Sequence, residues 1–97
     1  MTMHVPRQDD RRPATDQDVE GRITALISTM RAGLHPAHAE RLDDLLAAHE
    51  VEVALAMAVE WFTDEGHELD ERTRAEVIGA ARLAGVEDRV RTALEPA

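Results

Sequence analysis

The densest run of hydrophobic residues lies between Val51 and Phe62 and holds the chain's one tryptophan and one phenylalanine. Wound as a helix at about 100° per residue, this run puts six residues on one face: Val51, Ala54, Leu55, Ala58, Trp61 and Phe62. Three apolar positions widen that face on its two sides: Val53, Met57 and Val59. The polar side is a narrow wedge of Glu52, Glu60, Thr63 and Asp64. A helix so apolar is expected in the middle of a bundle.

The residues before Val51 also show apolar positions at helical spacing. A first helix is predicted to open at Thr15 or Asp16 and to carry six apolar positions at helical spacing: Val19, Ile23, Leu26, Ile27, Met30 and Leu34. Gly33 is expected as its C-terminal glycine, and Pro36 bars continuation. A second helix is predicted from residue 37 or 39 to residue 48, with an inner face of Ala39, Leu42, Leu45 and Leu46.

The boundary between the second helix and the central run carries neither glycine nor proline. We place a break near His49 and Glu50, because the apolar face changes phase there. A single kinked helix over residues 36–65 is the structural alternative.

Downstream of the central helix, glycines and an aspartate mark the element ends. Gly66 is predicted as the C-cap of a helix that ends at Glu65, and Leu69 as an anchor in the following loop. Asp70 is a suitable N-cap for a fourth helix that Gly85 stops. A short fifth helix follows at residues 87–94, with the apolar residues Val90, Ala93 and Leu94. The sequence therefore predicts an all-α fold, a small bundle of four to five short helices around a central apolar helix.

Composition bounds the class of protein. We expect a single helical domain over residues 15–95, preceded by a disordered polar arm at residues 1–14. The chain has no cysteine, so disulfides and thiolate metal sites are excluded. No apolar run approaches the length of a membrane span, and the first ten residues lack the apolar core of a signal peptide. We expect a cytoplasmic protein.

The formal net charge is −9, and every basic residue apart from histidine is an arginine. This charge argues against binding to nucleic acid or to an anionic membrane, because both require positive charge facing phosphates. It favours a basic partner, or simple solubility.

Catalytic chemistry finds little support in the sequence. It has no glycine-rich phosphate loop, nucleophile motif or zinc motif, and it lacks tyrosine as well as cysteine. His35 and His38 have a spacing at which two imidazoles can share a metal, but no third ligand with a pattern accompanies them. We interpret them as solvent-exposed loop histidines, and we expect no enzyme activity, no metal and no cofactor. His49 is expected at a helix junction, and His67 at the C-terminus of the central helix.

The acidic residues are unevenly distributed. Between Arg41 and Arg72 the chain contains no arginine. Six carboxylates, which we call the acidic ridge, crowd the end of the central helix, its loop and the start of the fourth helix: Glu60, Asp64, Glu65, Glu68, Asp70 and Glu71. A secondary acidic surface comprises Asp43, Asp44, Glu50 and Glu52. Asp64 and Glu65 stand at the helix end that the macrodipole disfavours, which mildly favours a surface awaiting a cationic partner over plain solvation.

From Leu42 to Val90 the chain resembles the MafI-like immunity proteins of bacterial polymorphic-toxin systems, which include contact-dependent inhibition. The matching residues are Leu45-Leu46, Glu50, Ala54-Leu55, Trp61-Phe62, Glu65-Gly66, Leu69, Glu76-Val77-Ile78, Ala81 and Gly85-Val86. His49 takes the place at which the family leads us to expect glycine.

The resemblance implies a small acidic helical protein that protects its own cell by binding a cognate toxin domain, often a nuclease. It agrees with the charge argument, because a nuclease active site is basic. We expect the acidic ridge to be the first contact and the free protein to be a monomer. A different class remains open, a helical adaptor or oligomerisation module that would use an apolar stripe and form a homodimer through its first helix.

Overall fold

The computed structural model describes residues 16–95, which form five α-helices without any strand. The helices are α1 (Asp16–Arg31), α2 (Pro36–Ala47), α3 (Val51–Asp64), α4 (Glu71–Ala84) and α5 (Glu87–Leu94). The all-α prediction is confirmed. The arm predicted for residues 1–14 and the proposed cap at Thr15 lie outside the described residues. Within residues 16–95, no helix combines the length and the apolarity that crossing a membrane requires.

The central helix α3 contacts each of the other four helices, as its apolar circumference predicts. Six of its residues are buried: Val51, Ala54, Leu55, Ala56, Ala58 and Val59. Trp61 and Phe62 are only half-buried and pack on the edge of the core. The alanines let neighbouring helices approach α3 closely, while the larger side chains Ile23, Ile27, Met30 and Leu42 supply the fully buried volume from α1 and α2.

The turn between α1 and α2 is set by a close approach rather than by an unusual backbone. Gly33 follows the end of α1, but its φ lies outside the left-handed region in which C-terminal glycines are usual. A Cβ at Gly33 would lie 3.4 Å from Cε1 of Phe62 and 3.6 Å from Nε2 of His67. A Cβ there would already be in van der Waals contact, so a larger side chain at Gly33 would collide with the end of α3. Pro36 then opens α2 at its first position.

α2 and α3 are separate helices, so the kinked-helix alternative is wrong. His49 has a φ of 61°, and it is the one described residue other than glycine with positive φ. The amide of His49 donates to Leu46 O at 3.0 Å, and that of Glu50 donates to Leu45 O at 2.9 Å. This pattern is a Schellman motif, which ends α2 and turns the chain into α3 without a glycine.

The cap residues predicted for α4, Asp70 and Gly85, are confirmed, and α3 ends at Asp64, one residue before the predicted end, with Glu65 as its C-cap. Gly66 has a φ of 87°, and the amides of Gly66 and His67 donate to Thr63 O and Phe62 O. Gly85, with a φ of 81°, ends α4. Leu69 is half-buried against the core, as expected of an anchor, and the Asp70 side chain caps α4. These ends position the acidic ridge at one end of the bundle.

Candidate partner-binding surface

The acidic ridge occupies the last two turns of α3, the α3–α4 turn and the start of α4. Its six carboxylates have unequal roles. Three of them, Glu60, Glu65 and Asp70, make hydrogen bonds within the fold. The other three, Asp64, Glu68 and Glu71, are exposed and have no side-chain partner among residues 16–95.

Glu65 holds the α1–α2 turn against the end of α3. Its carboxylate accepts from the backbone amide of His35 at 3.0 and 3.2 Å, and Nδ1 of His38 lies 2.6 Å from its Oε2. The hydrogen bond from His38 is the largest cause of the lowered pKa of Glu65; desolvation opposes it, and the His35 amide adds a smaller lowering effect. The side chain is only 22% exposed. Glu65 is therefore a structural contact, in addition to being part of the predicted ridge.

Two stacked pairs of aromatic rings pack at the same junction between the α1–α2 turn and the end of α3. The His38 ring stacks on Trp61 with centroids 4.3 Å apart and planes at 6°, and the His67 ring stacks on Phe62 at 4.7 Å. Nε2 of His67 lies 2.9 Å from Gly33 O, so this nitrogen carries the donated hydrogen. His35 is exposed as predicted, but the interpretation of His38 as an exposed loop residue is wrong.

Glu60 is paired with an arginine that is far away in sequence. Nε and Nη2 of Arg89 lie 2.7 and 3.0 Å from its two carboxylate oxygens, a bidentate pair that joins α3 to α5. The absence of arginine between Arg41 and Arg72 in the sequence therefore does not keep arginine away from the acidic ridge in the fold. Glu87 at the start of α5 is also paired with arginine. Arg82 and Arg91 both donate to its carboxylate and lower its pKa to about 2.

Asp70 serves α4 as its N-cap, as predicted. Oδ1 accepts from the Thr73 amide at 2.7 Å. That hydrogen bond lowers the pKa of Asp70, because the bond stabilises the charged form. Glu71 follows in the first turn, where the helix dipole favours its charge, although no side chain contacts it within the described chain.

The secondary acidic surface divides in a similar way. The Asp43 carboxylate accepts hydrogen bonds from Nε and Nη2 of Arg31, at 2.9 and 2.7 Å, and these bonds lower the pKa of Asp43. Asp44, Glu50 and Glu52 are exposed, and their side chains make no hydrogen bond or ion pair within residues 16–95. Asp43 thus ties α2 to α1, while the three others remain available to solvent or to a partner.

Two further predictions concern His49 and metal binding. His49 lies at the α2–α3 junction, as expected, and its Nδ1 is 3.1 Å from Glu20 Oε2. No group of three or more His, Asp or Glu side chains that could hold a metal ion occurs among the described residues.

A cleft of about 540 Å³ extends from the ridge between the α3–α4 turn and the end of α5. Its walls combine the unpaired carboxylates Asp64, Glu68 and Glu95 with the apolar side chains of Leu69 and Leu94. Sequence analysis missed Glu95, because its proximity to Asp64 arises only when α5 folds back along α3.

Comparison of the chain with known protein families, with curated proteins and with solved structures found no match.

Proposed function

We propose that this chain is a non-catalytic immunity protein, which binds a basic bacterial toxin domain and neutralises it. The observation that carries the proposal is that the fold leaves six carboxylates of the two predicted acidic surfaces unpaired within residues 16–95: Asp44, Glu50, Glu52, Asp64, Glu68 and Glu71. Arginines and backbone amides satisfy their neighbours Asp43, Glu60 and Asp70. These six are thus the carboxylates of the two acidic surfaces that make no contact within the fold.

A nuclease is the toxin class that this charge fits best. Its active site must hold phosphates and is therefore basic, so an anionic protein is attracted to it and can cover it. Opposite charges raise the rate of encounter, and a small number of desolvated anchor side chains set the lifetime of the complex. The net charge of −9 provides the charge that attracts a basic partner.

The turn at His49 supports the resemblance to MafI-like immunity proteins. The family leads us to expect glycine at this position, and the backbone there adopts the left-handed conformation that glycine adopts most readily. The conformation thus fits the family pattern, although the residue does not.

The test is protection of a growing cell against the toxin domain encoded by the adjacent reading frame. Asp64→Lys with Glu68→Lys reverses two unpaired ridge carboxylates and leaves the Glu65 contacts in place. Glu40→Lys with Glu76→Lys is the matched control, because it reverses two exposed carboxylates elsewhere and changes the net charge equally. We expect the ridge variant to lose protection and the control to keep it. Equal protection by both variants would contradict a role for the ridge, and no protection by the native chain would contradict the proposed function.

One observation favours the adaptor alternative. A groove between α1 and α4 of about 540 Å³ is lined by Ala25, Leu26, Ala75 and Gly79, with Arg22 and Glu76 at its rim. A second copy burying α1 would cover it. Sedimentation of the native chain separates the two functions, because the immunity proposal expects a monomer and the adaptor proposal expects a stable dimer.

A further inference from the structure

One side of α3 is left uncovered between its two flanking helices. α2 and α5 each pack against α3, but they do not contact each other within residues 16–95. The uncovered side carries Val53, Met57, Glu60, Trp61 and Asp64, which share a side because their spacing is i, i+4, i+7, i+8 and i+11. We call these five residues the open face.

The open face differs in burial from the opposite side of the same helix. Leu55 and Val59 have no exposed surface, whereas Val53, Met57 and Trp61 are each only half-buried. These three apolar side chains therefore form a continuous stripe along α3 that solvent reaches. They offer a partner apolar contact area without any rearrangement of the core.

The walls of the open face are already fixed by contacts within the fold. On the α2 side, His38 stacks on Trp61 and contacts Glu65. On the α5 side, Arg89 is bound to Glu60 through both carboxylate oxygens. Because Glu60 is paired with Arg89, Asp64 is the unpaired carboxylate on the five-residue face.

The charge at the Asp64 end determines the kind of partner. Asp64 adjoins the cleft that also holds Glu68 and Glu95, and the C-terminal end of α3 adds the negative end of its dipole there. The cation in this cleft, Arg74, donates through Nη1 to Leu94 O at 3.4 Å. Leu69 and Leu94 give the cleft apolar walls, against which the stem of an incoming arginine can pack while its head pairs with the carboxylates.

We propose that the open face of α3 is the docking surface for a basic protein partner, which places an apolar side chain on Met57 and a cationic one against Asp64. This inference rests on the proposed function and specifies where the toxin domain binds. It moves the centre of the interface from the α3–α4 turn to the solvent-facing side of α3, with the ridge as its charged margin.

The test compares lysine substitutions of two apolar residues that solvent reaches, the half-buried Met57 and the exposed Leu83. Met57→Lys puts a positive charge in the middle of the open face. Leu83→Lys is the matched control, because Leu83 is 52% exposed on α4 and the substitution changes the charge equally. The probe is the toxin domain from the adjacent reading frame in a catalytically inactive form. We expect Met57→Lys to weaken its affinity by about tenfold or more and Leu83→Lys to leave it unchanged within about twofold.

A measurement on the native chain covers the case in which Met57→Lys fails to fold. With ¹³C-methyl methionine, the Met57 signal should shift when the probe is added, whereas that of Met30, which is fully buried, should stay in place. Equal affinity of both lysine variants, or a static Met57 signal in a formed complex, would overturn this inference while leaving the proposed function intact. A Met57 shift that depends on the chain's own concentration would indicate a second copy and would also overturn it. No binding by the native chain would overturn both proposals.

Discussion

Asp64 and Glu65 are neighbours in sequence and lie on different sides of α3. Glu65 points to the α1–α2 turn, where it accepts hydrogen bonds from the His35 amide and from His38. Asp64 is exposed on the open face and has no side-chain partner in the described chain. Two adjacent carboxylates at the same helix end thus differ: that of Glu65 stabilises the fold, and that of Asp64 remains unpaired.

The difference shows that the acidic residues of a small bundle cannot be treated as one surface. A carboxylate that already accepts internal hydrogen bonds must break them before it can bind a partner, and this cost reduces its contribution to affinity. An exposed and unpaired carboxylate has no such contacts to lose. Four substitutions test this comparison, ordered from the largest expected effect to the smallest.

Gly33→Val should disrupt the junction that Glu65 completes. A side chain at Gly33 would be driven into Phe62 and His67, because even a Cβ lies 3.4 Å from the Phe62 ring. We expect the free energy of unfolding to fall by about 1–3 kcal/mol in urea denaturation. Gly21→Val is the control, since a Cβ at Gly21 meets nothing within 4 Å. Equal stability of the two variants would show that the close approach at Gly33 is unimportant.

Glu65→Gln should lower the melting temperature at neutral pH, because it removes the charge that His38 contacts at 2.6 Å. The folded-state pKa of Glu65 is below its ordinary value of 4.5. The stabilisation is therefore fully present above that ordinary value and is lost as the pH falls through the lower folded-state pKa. Thermal melts of the native chain and the variant should converge in acid. A gap that persists or widens in acid would contradict this role of Glu65.

His49→Gly should stabilise the α2–α3 junction. The φ of 61° strains a residue with a side chain, and glycine relieves that strain at the cost of extra entropy in the unfolded chain. We expect the free energy of unfolding to rise by about 0.5–1 kcal/mol, since the Glu20 contact that is lost involves a ring that is 82% exposed. His49→Ala is the control, because it loses the same contact and keeps the strain. A decrease in stability for His49→Gly would show that the imidazole contact outweighs the backbone term.

Asp64→Asn should have the smallest effect and the opposite sign to Glu65→Gln. Asp64 is the last residue of α3, and removing a negative charge from the C-terminal end of a helix relieves an unfavourable interaction with the dipole. We expect a gain of about 0.3 kcal/mol in urea denaturation at low salt. A loss of stability as large as that of Glu65→Gln would remove the distinction between the two carboxylates.

The backbone of the bundle is predictable because its signals are local. The helical spacing of Val51, Leu55 and Ala58, the cap at Asp70 and the glycines at positions 66 and 85 each act within a few residues. The break at His49 was located from the change in apolar phase, although its Schellman motif has no glycine to mark it. Gly33 lies at the predicted turn, but its role there is space for Phe62 and His67, not a left-handed backbone.

The pairing of the charges is not predictable in the same way. Arg89 reaches Glu60 from 29 residues away, and His38 reaches Glu65 from 27 residues away. Such contacts depend on how α2 and α5 lie along α3. The distribution of acidic residues and arginines along the sequence does not reveal this arrangement. The six ridge residues were therefore found together in sequence, but the fold separates them into three that are bound internally and three that are not.

The most direct measurement of the central claim is the association rate of the chain with the adjacent toxin domain as a function of ionic strength. Stopped-flow mixing of the native chain should give a rate that falls steeply between low and physiological salt, because screening weakens the attraction of unpaired carboxylates for a basic surface. Asp64→Lys with Glu68→Lys should give a slower rate with a shallower salt dependence, whereas Glu40→Lys with Glu76→Lys should change both less. The same rate and salt dependence in both double variants would contradict the assignment of the unpaired ridge carboxylates to the interface.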